Sequence, residues 1–289
     1  MRRRAAGVKY GRCSVDGLRA RRRGRLCNAR RNPINRCYRQ PMTEPTLTGK
    51  ISRDRIVMLD IPRPDPAAIA AFLALTDLAG TVSDAMDELG IHGAVPAARL
   101  QPMLPGARMV GPALTVRNIM QATPPTLGAM QRQSKQADIE AHNLAKPGDV
   151  LVIEGVEGIS SLGGNSANVG KRQGEAGAIV DGATRDVATA RGISYPIWAR
   201  GISLITGKWR VETVAINGPV QICGVPVNAG DLVVADDNGV CFVPRARIAE
   251  VLARAQALSD GEEARNRDVA AGLSVVEIAN KPYFRRIGG

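Results

Sequence analysis

An arginine and an aspartate stand side by side at Arg185-Asp186. They follow an apolar run, Ala178-Ile179-Val180, that is read as a strand ending at Asp181 with a glycine turn at Gly182. Some twenty residues upstream lies a second turn, Gly163-Gly164-Asn165-Ser166. A carboxylate can hold a hard divalent cation. A guanidinium can hold a carboxylate or enolate oxygen in its planar fork. Together they suit a small 2-oxo acid whose reaction passes through an enolate. The glycine turn opens a helix, where free backbone N–H groups and the helix dipole favour an anion such as a carboxylate. Each piece alone has a plainer reading: a common turn, an N-cap aspartate, a surface cation. The joint pattern is more specific, because both segments fall where a strand ends or a helix begins on neighbouring βα units. Open α/β sheets place their ligands there.

The elements that must position these residues alternate from Met42 onward. The pattern predicts a helix over 66–78 and a second helix capped at Thr81-Val82-Ser83-Asp84 and stopped by Gly90. A strand over 107–116 is broken by Gly111-Pro112, and a short helix over 137–145 closes at Pro147-Gly148. The β-branched run 149–154 is a buried strand. A helix over 166–172, a strand over 176–181, a short helix to Arg191 and a strand at 195–198 follow. Residues 210–244 are strand-rich with hairpin-like turns, then come a helix over 248–258 and a charged helical tail from Glu262. The alternation predicts an α/β domain. The late strands predict a second, antiparallel-leaning sheet against the first.

Charge and composition narrow the chemistry. Residues 1–41 carry thirteen arginines and Lys9 against Asp16 alone, so the chain's net charge of +12 belongs to this tail and the remainder is nearly neutral. The tail is poor in large apolar residues and is predicted to be disordered. Three readings fit it: a transit-type leader, a nucleic-acid-binding arm, or a start placed too early, with Met42 an ordinary amino terminus. The histidines, His92 in a glycine turn and His142 on a short polar helix, support no serine–histidine–aspartate triad and are read as structural or solvated. Cys223 and Cys241 belong to no C-x-x-C pair and read as small buried hydrophobes in strand-like runs, which suits a reducing cytoplasm. No phosphate loop or dinucleotide fingerprint is present. An aromatic content of 3% is too low for base-stacking platforms.

These residues resemble the family that holds class II 4-hydroxy-4-methyl-2-oxoglutarate aldolases, oxaloacetate decarboxylases and the RraA-type regulators of ribonuclease E. The likeness rests on the runs 147–152, 177–186, 196–201 and 230–240, with 81–85 and 105–108 upstream, and covers about residues 70–275. It implies an α/β/β/α sandwich of the swivelling β/β/α type, a single domain over 42–260 with a helical extension at 261–289. Trimers or hexamers are implied, with sites near subunit interfaces. So is Mg²⁺ or Mn²⁺ held by Asp186 and waters, with pyruvate-type contacts from Gly163, Gly164, Asn165, Ser166 and Arg185. A further acid from an adjacent subunit corresponds to Glu262 or Glu263. Where the family's aldolases often carry an acid, 21 positions before the arginine, this chain has Gly164. The implied activity is metal-dependent C–C cleavage of a 2-oxo acid with release of pyruvate. The alternative is a non-catalytic regulator of ribonuclease E that acts by protein–protein binding, with nucleic acid met only through residues 1–41.

Overall fold

In the computed structural model, which describes residues 45–284, the chain forms helices α1 (Pro66–Leu73) and α2 (Leu78–Glu88), then strands β1 (Ala94–Pro96), β2 (Gln101–Pro102) and the long β3 (Met109–Met120). After α3 (Pro125–Gln131), helices and strands alternate: α4 (Asp138–Leu144), β4 (Val150–Glu154), β5 (Ser160–Leu162), α5 (Gly164–Gln173), β6 (Gly177–Thr184), α6 (Val187–Gly192) and β7 (Ile197–Ile202). Then come β8 (Val211–Ile216), β9 (Val220–Ile222), β10 (Val225–Val227), β11 (Leu232–Asp236) and β12 (Gly239–Val243), and last α7 (Ile248–Ala270) and α8 (Val275–Asn280). The expectations for residues 1–41 lie outside the described residues.

Strands β4, β6 and β7 run parallel, and their apolar runs are buried on both faces, as crossover helices require of a parallel sheet. The two expected sheets are largely joined into one mixed sheet, ordered β1-β12-β11-β3-β4-β6-β7-β2, because they share β3, while β9 and β10 form a separate two-stranded antiparallel pair. The first part of β3 pairs antiparallel with β11 (Val110↔Val234), and the next pairs parallel with β4 (Ala113↔Val150). Its end pairs antiparallel with β8 (Val116↔Ile216). Gly111-Pro112 therefore does not break this strand. A Cβ on Gly111 would sit 2.2 Å from the Gly148 carbonyl oxygen, so only glycine fits there. Pro112 lies just ahead of the first β4 pair, where the ladder asks for no donor.

The sheet curls. Trp198 Nε1 on β7 donates to the Asp236 carbonyl on β11 at 2.8 Å. Those strands stand four places apart in the sheet, about 19 Å if it were flat. Three apolar cores result. One lies between the parallel strands and α4, α5 and α6, one between β3, β11, β12 and α1, α2 and α7, and one inside the curl around Trp198 and Phe242.

Three boundaries differ from expectation. Helix α1 stops at Leu73 and α2 opens at Leu78, ahead of the expected Thr81 cap. Asp236 Oδ2 accepts from Ala79 N at 2.9 Å, so a distant carboxylate satisfies the first turn. Strand β6 runs through Gly182 to Thr184 instead of ending at Asp181, with a register shift against β7 between Val180 and Ala183. Helix α7 continues unbroken across 260/261. Gly261 is tolerated inside it because the Tyr283 carbonyl packs 2.5 Å from where a Cβ would be. No single helix among the described residues is long and apolar enough to cross a membrane.

Candidate functional site

Strand β5 pairs parallel with the end of β6, with Ser160 opposite Ala183 and Leu162 opposite Thr184. Chain leaving both strands in the same direction must meet. The turn Gly163–Ser166 therefore lands beside Arg185-Asp186, tied by the Arg185 N–H donating to the Leu162 carbonyl at 3.0 Å. Asp186 holds the N-cap position of α6 in a left-handed conformation (φ 55, ψ 38), yet its side chain does not cap that helix. Asp186 Oδ2 instead accepts from Gly164 N at 2.9 Å. Arg185 Nε stands 3.5 Å from the same oxygen, with 38% of the arginine side chain and 46% of the aspartate side chain exposed. A Cβ on Gly163 would lie 3.0 Å from Arg185 Nε, and one on Gly164 would lie 3.1 Å from the Cβ atoms of Asp186 and Thr189. The glycines thus let the start of α5 seat against Arg185-Asp186. One expectation is corrected here. The Gly164 N–H, taken from sequence as free for a substrate carboxylate, is already given to Asp186. The N–H groups of Asn165 and Ser166 remain, since the first helical bond runs from Ala167 N to Gly163 O at 3.0 Å.

A cavity of about 170 Å³ opens beside this junction. Gly163, Asn165, Ser166 and Arg185 line it, facing Asp138 and Lys208. Asp186 and Gly164 do not line it; they flank the lining residues Arg185, Gly163 and Asn165 in sequence and are bonded to each other. Glu262 and Glu263 lie on α7 and do not line the cavity in this chain. Partial burial and the neighbouring charges of Asp77 and Asp84 hold the Glu262 carboxyl above its ordinary value.

Behind Ser166 runs a buried polar array. Tyr195 OH donates to Glu175 Oε2 at 2.6 Å, and Glu175 Oε1 meets His142 Nδ1 at 2.7 Å. His142 Nε2 meets Ser166 Oγ at 2.7 Å, and Ser166 Oγ donates to Asp138 Oδ2 at 2.7 Å. His142 is fully buried rather than solvated. Burial opposes its charge, but the Glu175 carboxylate bonded to Nδ1 outweighs that, with Asp138 beyond, and holds the imidazole pKa above its usual value. Burial and then Glu175 push the Tyr195 hydroxyl well above the phenol range. With Ser166 giving its proton to Asp138, both His142 nitrogens must donate, so the bonding pattern is that of an imidazolium. Sequence reasoning missed this array. Its one local signal is Asp138-x-x-x-His142, a spacing that puts both side chains on one face of α4.

The remaining candidates are accounted for elsewhere. His92 is exposed in its turn and is not part of the cavity. Cys241 is buried in β12, and burial pushes its thiol up to about 12. Cys223 is buried in the turn between β9 and β10 rather than in a strand, with its thiol pushed up to about 11, first by burial and then by the Asp181 charge. Both stay protonated near neutrality and are poor nucleophiles. Among the described residues no group of three or more acidic, histidine or cysteine side chains could hold a metal ion. Asp186 offers a single, half-exposed carboxylate whose Oδ2 is oriented by the Gly164 N–H. That donor set fits a hard cation that keeps most of its waters, as Mg²⁺ does. It does not fit zinc, which needs three or four protein ligands.

Known proteins resemble this chain in sequence and fold. Residues 79–242 match the family model described as RraA-like, Aldolase/RraA. The chain is 32% identical over 205 residues to protein DlpA of Legionella pneumophila, across 70% of this chain but only 32% of DlpA, so it spans about a third of that relative. It is 30% identical over 197 residues to a Halalkalibacterium halodurans protein named "Putative 4-hydroxy-4-methyl-2-oxoglutarate aldolase", across 68% of this chain and 86% of that one. Among solved structures it resembles Streptomyces coelicolor RraAS2, described as an unusual member of the RNase ES inhibitor RraA protein family. The TM-score is 0.58 at 26% identity, over 73% of this chain and 99% of that one. A chain that matches this model across more than half its length belongs to the RraA-like Aldolase/RraA family.

Proposed function

We propose that this protein is a divalent-metal-dependent lyase that cleaves a C–C bond of a small 2-oxo acid and releases pyruvate. One observation carries the reading. The Asp186–Gly164 hydrogen bond fixes a carboxylate beside Arg185, and Arg185 lines a cavity sized for a few-carbon acid at the open start of α5. Asp186 would hold Mg²⁺ or Mn²⁺ with waters, and such an ion supplies Lewis-acid stabilisation of negative charge on the 2-oxo oxygen. Arg185 adds a fixed positive charge beside that oxygen, where preorganised electrostatics contribute most. The first-turn N–H groups of Asn165 and Ser166 hold the substrate carboxylate. Retro-aldol cleavage of 4-hydroxy-4-methyl-2-oxoglutarate and decarboxylation of oxaloacetate both pass through the pyruvate enolate, so one site serves either. In this reading the curled sheet and its helices form the family's α/β/β/α sandwich, assembled as trimers or hexamers. The exposed run Ile202, Leu204 and Ile205, adjoining the cavity residue Thr206, supports burial against another subunit.

The test couples pyruvate release to lactate dehydrogenase, with each substrate in turn and Mg²⁺ or Mn²⁺ present. Activity is expected to vanish with chelator and with Asp186→Ala. Arg185→Lys is expected to lower kcat by about 100-fold or more, the scale for losing a preorganised donor. Activity that survives both chelator and Asp186→Ala would overturn the metal assignment. No turnover, together with a changed ribonuclease E rate on addition of the protein, would favour the regulator instead.

A further inference from the structure

Gly164 leaves the proposed lyase without an acid at the position where the family's aldolases often carry one, yet enolate chemistry needs a group to move a proton. We propose that Asp138 is that group, the catalytic acid–base of the cavity, and that the buried array of Ser166, His142, Glu175 and Tyr195 positions it. The inference rests on the 2-oxo acid reading above and names a residue for it.

Asp138 begins α4 and lines the same cavity as Arg185. Its carboxylate is aimed by the Ser166 hydroxyl at 2.7 Å. Behind Ser166, His142 bonds Glu175, which Tyr195 holds in turn. Each acceptor in this array has its donor: His142 donates to both sides, Ser166 donates onward to Asp138, and Tyr195 donates inward to Glu175 from the far end. A buried set satisfied this completely keeps its geometry. The charged groups facing Asp138 are His142 through Ser166, with Glu175 behind it, and Arg185 and Lys208 across the cavity.

The step is simple to balance. The C3–H bond of pyruvate breaks, its electron pair enters the enolate, and the proton goes to the Asp138 carboxylate. The reverse returns the proton to C3 and leaves the carboxylate free. In retro-aldol cleavage the same carboxylate takes the proton of the substrate's 4-hydroxyl group and delivers it to the enolate carbon.

The spacing Ser166–His142–Glu175 also resembles a hydrolase triad. Its protonation argues against a serine nucleophile. A His142 that donates from Nε2 has no lone pair with which to take the Ser166 proton.

The experiment follows exchange of the pyruvate methyl protons in D₂O by proton NMR, using the full chain with Mn²⁺-free Mg²⁺ buffer. Oxalate affinity is measured by calorimetry alongside. Asp138→Asn is expected to lose at least about 100-fold in exchange rate, with oxalate affinity within about threefold of wild type. Ser166→Ala removes the hydrogen bond that aims the Asp138 carboxylate. With that carboxylate no longer held in place, exchange should fall by about tenfold in kcat with little change in KM for pyruvate, and Ser166→Thr, which keeps the hydroxyl, should restore most of it. Ser166 is half-buried, so this variant reports even if Asp138→Asn folds poorly. Exchange by folded Asp138→Asn within threefold of wild type would overturn the proposal. So would an unchanged exchange rate in Ser166→Ala, or stoichiometric labelling of Ser166 by a fluorophosphonate. Wild-type protein that neither exchanges pyruvate nor cleaves any 2-oxo acid would instead remove the lyase reading, and this inference with it.

Discussion

At the scale of the residue, His142 makes the sharpest difference between sequence and structure. A lone histidine on a short polar helix reads as structural or solvated, and the structure takes the first alternative through partners that are invisible locally: Ser166 and Glu175 lie 24 and 33 residues away. The structure brings Arg185 and Asp186, adjacent opposite charges at a strand end, against the glycine turn with which the sequence pairs them. The commitment of the Gly164 N–H to Asp186 was not legible, since it depends on β5 and β6 ending side by side. The imidazolium assignment makes a prediction about stability. The folded pKa of His142 is raised above its ordinary value of 6.5, so its contribution is fully present below about pH 6.5. It is lost as pH rises through the folded value. Thermal melts of wild type and His142→Gln from about pH 5.5 to about pH 9 should show a stability gap that is widest in acid and narrows with rising pH. A gap that stays constant would mean the histidine is neutral and the donors run the other way.

At the scale of the element, the strands were largely legible and their ends were not. The run Val150-Leu151-Val152-Ile153 announces a strand buried on both faces. What anchors it does not show in the local pattern. Asp149, fully buried at its head, is gripped by both Arg63 Nε at 2.8 Å and Arg63 Nη2 at 2.7 Å. Lys146 N donates to the same carboxylate at 2.8 Å, and Asp60 holds the arginine from outside. The fork ties the segment before α1 to the loop that carries the chain from α4 into β4. Loss of Arg63 would strand a charge in the core, which costs far more than the pair contributes. Arg63→Gln is therefore expected to destabilise by about 3 kcal/mol in urea denaturation. Adding Asp149→Asn should recover a good part of that, because the uncompensated charge is gone. Equal additive losses from the two substitutions would show that the fork matters only through packing.

At the scale of the whole molecule, the sequence predicts two sheets, and the structure joins them through β3 and folds the result back on itself. Neither feature could be read from periodicity. A strand that changes partners halfway along looks like any apolar run, and Gly111-Pro112 looks like a break until the Gly148 carbonyl is seen against it. The curl sets where the site lies, because it covers the inner faces of β4, β6 and β7 and leaves the carboxyl ends of β5 and β6 open. Trp198 is the side chain that spans it. Its ring fills the inner core with no exposure, and its Nε1 satisfies the Asp236 carbonyl, while the Asp236 side chain caps α2. One residue of β11 thus links the closing of the sheet to the packing of an outer helix. Trp198→Phe keeps an aromatic ring but removes the donor and part of the volume. Losing one hydrogen bond costs about 1 kcal/mol, and the smaller ring adds a cavity penalty of about 1–3 kcal/mol on top. The expected result is a drop of roughly 2–4 kcal/mol in unfolding free energy. Pyruvate release per folded molecule should be unchanged, since Trp198 does not touch the cavity wall. A stability loss below about 0.5 kcal/mol would mean that the curl does not depend on this contact, and that the inner apolar core alone holds β7 against β11.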